Sequence, residues 1–257
     1  MGEGLPRLVA TDLDGTLVHS DGSLTARTRE VLAALDARGV PLVVVTARPM
    51  RWMDELWPLV GRVGLGVVSN GAIVYDVARG RPARVTGIEA AEGLALVAAI
   101  RAAVPDAAFA LECVSGIKRD PRFLEPHEVP PGSPVAELEE LWTEPVVKVM
   151  VRCPTMDPAD LLSRTAAAAG ELASVSWTTV GLVEIGPRGV TKATTLAEVC
   201  AGLGVDASEV VAFGDMPNDI PMLSWAGTAY AMANGHPSVI ACAGPRCRVT
   251  GLRGGAG

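Results

Sequence analysis

The stretch "VATDLDGTLV", residues 9–18, places two carboxylates one residue apart at the end of an apolar run. With Val9 to Leu13 extended, side chains at i and i+2 share a face, so Asp12 and Asp14 point one way and Leu13 the other. Two like charges that close raise each other's cost of ionising, and a divalent cation would offset it. Asp14-Gly15-Thr16 is also ordinary turn chemistry, which accounts for Asp14 and Gly15 but leaves Asp12 unexplained.

Three further clusters carry reactive or anion-binding groups. In "VVVTAR" the Thr46 hydroxyl, the Ala47 amide and Arg48 follow an apolar run, as a strand-to-helix cap or as a seat for an anion. In "GPRGVTKATTL" Lys192 falls in the first turn of a helix, where a cation opposes the helix dipole; it is either a solvated surface lysine or one with an acidic partner. In "VVAFGDMPNDIPML" Asp215 ends an apolar run, and Asn218 and Asp219 open a helix. Asp219 alone is ordinary capping, whereas Asp215 again asks for a cation. Oxygen ligands select a hard ion such as Mg2+. Together these groups suit phosphoryl transfer: an Asp acceptor, a metal, and a Lys and amides around the transferred oxygens. A second acid must protonate the leaving oxygen and then activate water, and Asp12 and Asp14 fit that division.

Such groups need elements to bring them together. The first third alternates "LVAT", a helix in "LTARTREVLAALDARG" with Val31, Leu32 and Leu35 at helical spacing, the β-branched strand "PLVVVTA", a helix in "PMRWMDELWPLVG" opened by Pro49, and two strands joined at Asn70-Gly71. The last third repeats the alternation. This predicts an α/β fold, a doubly wound parallel sheet whose strand ends collect ligands. The middle reads as an inserted domain with two helices on an antiparallel sheet, and "EPHEVPPGSPVAE" as a loop within it. The expected division is core over 1–84, insert over 85–187 and core again over 188–257. The tail "GLRGGAG" reads as disordered.

At 257 residues and 49% hydrophobic, the chain suits two domains. Its 29 acidic against 22 basic residues, with no basic run, argue against nucleic acid as a partner. No charge-free, Pro-free stretch of membrane-spanning length occurs, and the start "MGEGLPRLVATD" lacks signal-peptide character, so no membrane partner and a cytoplasmic location are expected. Five cysteines with no C-x-x-C pair, including the two in "CAGPRC", read as unpaired reduced thiols.

The ordered set D-x-D-G-T, Thr after the second strand, G-V-T-K and G-D-x-x-N-D, spanning residues 12–219, resembles the haloacid dehalogenase superfamily of aspartate-nucleophile phosphatases. The place of the insert, with "SNGAIVYD" before it, resembles the Cof-type branch with an α/β cap, which takes in sucrose-phosphate and mannosyl-phosphoglycerate phosphatases and phosphomannomutases. The resemblance implies Asp12 as nucleophile and metal ligand, and Asp14 as acid/base whose backbone carbonyl also binds Mg2+. It implies Asp215 as the remaining protein metal ligand. Thr46, the Ala47 amide, Lys192 and Asn218 would hold the phosphoryl group, with Arg48 supporting and Asp219 orienting Lys192 or a metal-bound water. Two departures stand out: Ala47 where Gly often sits, and a C-terminus "RVTGLRGGAG" without the polar N-D-E-D-G-V-type segment of many relatives.

The expected function is a Mg2+-dependent phosphomonoesterase of a small phosphorylated metabolite, a sugar phosphate, acting as a monomer or weak homodimer. The cap would close over the substrate and read its leaving group. In "ECVSGIKRDPRF", Lys118, Arg119 and Arg122 are either contacts for a second anionic group or a charged surface loop. A phosphosugar mutase using the same aspartyl phosphate is the alternative reaction. A receiver-type module also uses a phosphorylated Asp, but it lacks the D-x-D pair and a cap.

Overall fold

The computed structural model describes residues 5–19, 21–125, 127–242 and 247–249. The tail "GLRGGAG" and the middle of "CAGPRC" lie outside them. The chain divides into one unit of Met1–Arg84 with Thr191–Gly257 and a second of Val85–Val190.

The first unit is built on β1 (Leu8–Thr11), β2 (Leu42–Val45), β3 (Leu65–Val68), β4 (Ile73–Asp76) and β5 (Arg81–Val85). The second holds β6 (Ala108–Cys113), β7 (Gly116–Arg119), β8 (Lys148–Arg152), β9 (Ala173–Thr179) and β10 (Leu182–Pro187). The chain then returns to the first unit with β11 (Val210–Gly214), β12 (Thr228–Ala231) and β13 (Cys247–Val249). Helices α1 (Ala26–Ala37) and α2 (Trp57–Val60) precede the second unit, which contributes α3 (Ala90–Ala103), α4 (Leu138–Leu141) and α5 (Pro158–Ala169); α6 (Lys192–Gly202), α7 (Ile220–Trp225) and α8 (Pro237–Ile240) follow it.

The core sheet runs β13-β12-β11-β1-β2-β3-β4-β5. β1 and β2 are buried along their whole length, so their apolar runs are continuous rather than alternating. β1 lies parallel to β11 on one side and to β2 on the other, with Thr11 opposite Phe213 and Val44. The chain leaves β1 for β2 and reaches β11 only much later, so the strand order reverses beside β1, the switch point where open α/β sheets collect ligands. The shared register brings the residues after Thr11, Val45 and Phe213 to one edge. β4 is an exception to the parallel pattern: it returns antiparallel to β3 through the short Ser69–Ala72 connection.

One local expectation needs correction. The stretch from Pro49 to Gly61 is not one helix but a 3-10 turn at Met50–Trp52 followed by α2. Pro58 lacks the N–H that would bond the Asp54 carbonyl, so the helix restarts with Pro58 in its first turn. Helix α1 forms as the spacing predicts, capped by the Thr25 hydroxyl; Val31 is 42% exposed, and Leu32 and Leu35 are half-buried.

In the second unit the antiparallel order is β7-β6-β8-β10-β9. Phe109, Leu111, Val149, Val151, Val183 and Ile185 form a core with Leu96, Val97 and Ile100 of α3 and Leu161 of α5. Asp157 caps α5, accepting from the Ala159 and Asp160 amides, with Pro158 at its first position. Gly93 of α3 is required by packing, because a Cβ there would fall 1.9 Å from the Trp142 ring. Among the described residues, no helix is long and apolar enough to cross a membrane.

Candidate active site

The ends of β1 and β11 set the centre of the site. Asp12 follows β1 with its amide bonded to the Phe213 carbonyl, which continues the parallel ladder and fixes where its buried carboxylate points. Lys192, the first residue of α6, is 2% exposed and is no surface lysine. Its ammonium donates to Asp12 Oδ1 at 2.6 Å and to Asp219 Oδ1 at 2.7 Å. A cation in the first turn of a helix is unfavourable alone; two carboxylates offset that here. Asp219 Oδ2 accepts from the Asp215 and Met216 amides at 3.0 and 2.9 Å, so the Asp219 carboxylate is held at both oxygens.

Asp215 Oδ1 accepts from the Thr16 hydroxyl at 2.7 Å. The loop carrying Thr16 reaches it through Gly15, at φ +77°, where a Cβ would lie 2.4 Å from Asp215 Oδ2. Both the backbone angle and the close approach demand glycine. One oxygen each of Asp12, Asp215 and Asp219 lie within 4.8 Å of one another, all buried.

Three buried carboxylates share a single ammonium, and the electrostatics follow. Burial pushes the Asp12 carboxyl well above the usual carboxylate range, Lys192 opposes this, and the Asp219 and Asp215 charges add to it. Burial likewise raises Asp215, with the Thr16 hydrogen bond opposing and Asp219 reinforcing. Burial alone would lower Lys192, but Asp12 and Asp219 outweigh it and hold its pKa raised. An all-oxygen set with surplus negative charge fits a hard divalent ion. Asp219 is committed to Lys192 and two amides, so Asp12 and Asp215 are the carboxylates suited to hold it.

Asp14 does not stand beside Asp12 as a repelling pair. Its side chain is 58% exposed and turns to Arg48, which donates from Nε to Oδ2 at 2.8 Å and from Nη2 to Oδ1 at 2.5 Å. The carboxylates crowding Asp12 are Asp215 and Asp219, contributed from β11 onward. Thr46 is buried after β2, and its hydroxyl oxygen accepts the Arg48 amide at 3.0 Å, leaving the O–H to donate. Ala47 is half-buried between them. Asn218 sits in the 3-10 turn Pro217–Asp219 and donates to Asn70 Oδ1 at 3.1 Å. A cleft of about 450 Å³ is lined by Arg48 with Val18, Arg51, Trp52, Asp54 and Glu55.

The basic residues of "ECVSGIKRDPRF" are not a surface loop as a group. Lys118 and Arg119 belong to β7, and Lys118 is buried, donating to Thr143 Oγ1 at 2.8 Å and Glu144 Oε1 at 3.0 Å. Arg119 Nε is buried without a partner among the described residues. Arg122 is half-exposed, 3.7 Å from Asp120 Oδ2. Sequence reasoning passed over Thr16 as a ligand to Asp215, read Asn70 only as a turn residue, and missed Asn234, which donates to the Gly15 carbonyl at 2.9 Å. The D-G-T pattern held a signal for Thr16; nothing local marks Asn234.

A family model described as haloacid dehalogenase-like hydrolase matches residues 9–247. A phosphoglycolate phosphatase of Halorubrum lacusprofundi is 29% identical over 88% of this chain and 84% of its own. An HMP-PP phosphatase of Cronobacter sakazakii is 25% identical over 92% and 88%. Among solved structures, the phosphatase BT1666 of Bacteroides thetaiotaomicron shares the fold at a TM-score of 0.81 and 24% identity, covering 97% of this chain and 91% of that one. The sugar phosphatase BT4131 shares it at 0.77 and 20%, covering 95% and 92%. The match runs through all four polar clusters and across both units: the chain belongs to the haloacid dehalogenase-like hydrolases, in their Cof-type phosphatase branch.

Proposed function

We propose that the chain is a Mg2+-dependent phosphomonoesterase of a small phosphorylated metabolite of the sugar-phosphate kind, working through an aspartyl phosphate on Asp12. The observation that carries this reading is the buried Asp12, Asp215 and Asp219 set with the buried Lys192 bonded to two of its members. Three carboxylates against one ammonium are short of positive charge, and a divalent ion would supply it. Mg2+, when bound by Asp12, Asp215 and the Asp14 backbone carbonyl, supplies charge that offsets the phosphate oxygens.

The remaining work falls to the chain. Lys192 holds Asp12 Oδ1 and favours its ionised form, so the other oxygen attacks phosphorus as the ester bond breaks. Thr46, the Ala47 amide, Lys192 and Asn218 bind the transferred oxygens as their charge redistributes. Asp14 gives its proton to the leaving oxygen, then takes one from the water that hydrolyses the acyl phosphate. Arg48 occupies both Asp14 oxygens, so this exchange requires the pair to open. The cleft lined by Arg48 falls within the volume range of small-molecule sites and suits the leaving group. The 29% identity to a phosphoglycolate phosphatase supports a small phosphorylated metabolite as substrate.

The test is phosphate release from a panel of sugar phosphates, phosphoglycolate, nucleotides and an aryl phosphate, with and without Mg2+. Release should depend on Mg2+ and vanish in Asp12→Asn; undiminished activity in that variant overturns the nucleophile assignment. Return of the phosphoryl group to a second sugar hydroxyl, without release, would identify a mutase.

A further inference from the structure

Ser69 and Asn70, at φ 52° and 56°, are the non-glycine residues with positive φ among the described residues, and they are consecutive. Side chains rarely adopt that region, and two in succession persist only where surrounding contacts over-determine them. The hairpin does not require it: β3 and β4 pair up to Val68 opposite Ile73, and a loop of that length is most often built on a type I turn with negative φ.

What holds the strained knuckle is the site. The Ser69 amide donates to the Arg48 carbonyl at 2.9 Å and the Asn70 amide to the Thr46 carbonyl at 3.1 Å. The Thr195 hydroxyl donates to the Gly71 carbonyl at 3.0 Å, and a Cβ on Gly71 would lie 2.5 Å from the Thr191 carbonyl, so the knuckle packs on the first turn of α6 beside Lys192. Asn218 Nδ2 donates to Asn70 Oδ1. Three consecutive residues thus touch the Thr46 turn, the Lys192 helix and the Asn218 turn. Two polar atoms at this junction, Ser69 Oγ and Asn218 Oδ1, are buried without a hydrogen-bond partner among the described residues.

We propose that Asn70 is a positioning residue for phosphoryl transfer: its side-chain oxygen orients Asn218, and its strained backbone locks the Thr46 turn and the Lys192 helix to each other. This rests on the reading of Thr46, Lys192 and Asn218 as the phosphate-holding groups. Asn serves where most side chains would not, because, like Asp, it tolerates the left-handed region while presenting a hydrogen-bonding oxygen. Were the knuckle only a turn, Gly would serve as well.

The test compares Asn70→Gly, which relieves the strain and removes the acceptor, with Asn70→Asp, which keeps both a residue tolerant of positive φ and an acceptor oxygen. Asn70→Gly should melt within about 4 °C of wild type, as expected for a change of one hydrogen bond in a chain of this size. Its kcat/KM should nevertheless fall about tenfold and the inhibition constant for inorganic phosphate rise about tenfold, from one lost hydrogen bond and the misplacement that follows. Asn70→Asp should retain most of the activity, and Asn70→Gly should add little to Asn218→Ala, since the two act through one contact. Wild-type phosphate affinity in Asn70→Gly overturns the proposal, as do equal impairment of the two variants, additive losses with Asn218→Ala, or a destabilised Asn70→Gly. Loss of the underlying reading would show separately, as activity retained in Asp12→Asn.

Discussion

Both units bury charge, and they balance it differently. Among the described residues, the buried charged side chains of the core unit are Asp12, Asp215, Asp219 and Lys192, three acids to one base. In the inserted unit they are Glu112, Asp120, Glu184, Lys118 and Lys148, and Asp120 is further approached by Arg101 and Arg122. Lys148 is bonded to Glu184 within the sheet and Lys118 to Glu144. The insert settles its charges with its own side chains, as a folded sheet must when it buries them. The core leaves a surplus of negative charge at the strand ends, and a folded protein sustains such a surplus where it binds something positive or passes through a charged reaction. The difference separates ion pairs closed within the fold from a cluster with negative charge to spare.

The largest effect should come from removing Lys192, the buried base of the core unit among the described residues. Lys192→Met strands buried carboxylates, which costs about 3–5 kcal/mol when one partner of a buried pair is lost. Asp12 and Asp215 are already raised above their unfolded values. A carboxyl raised in the folded state contributes stability at low pH that is lost as pH climbs through the unfolded value, near 3.9, toward the folded one. Urea unfolding should therefore find Lys192→Met closer to wild type at pH 5 than at pH 8; an equal gap at both would mean that the lysine acts by packing alone.

Next in size is the response to the ion. Mg2+ at about 100 times its dissociation constant should stabilise the wild type by about 2.7 kcal/mol, and Asp215→Asn should abolish the shift. If Asp215→Asn responds as the wild type does, the metal is held elsewhere and the contrast between the units loses its basis.

The smallest effect belongs to the insert. In a double-mutant cycle, Lys148→Met and Glu184→Leu together should cost less than the two singles summed, with a coupling of about 0.5–3 kcal/mol, because the double variant leaves neither charge stranded. Additive losses would show that the pair is not self-contained.

The sequence was readable where candidate site residues follow continuous apolar runs. Asp12, Thr46 and Asp215 each follow such a run, and the parallel register that brings them together is a consequence of strands alternating with helices. The long-range pairing of flexible side chains was not readable: Arg48 meets Asp14 from 34 residues away, and Lys192 meets Asp12 from 180. The Asn70-Gly71 hairpin signal was clear, but its strain was not, because the contacts that impose it come from Thr46, Arg48 and Thr195. Elements without a strong period also went unread. β5 is an exposed edge strand, "RPARV", β7 is only four residues, and β10, "LVEIGP", ends in Gly-Pro.

The central claim is that Asp12 takes the phosphoryl group. Quenching wild-type turnover with borohydride reduces an acyl phosphate to an alcohol, and peptide mass spectrometry locates the residue changed. The account predicts homoserine at position 12, formed only with substrate present. Reduction at Asp14 instead, or at no aspartate while phosphate is being released, would contradict it.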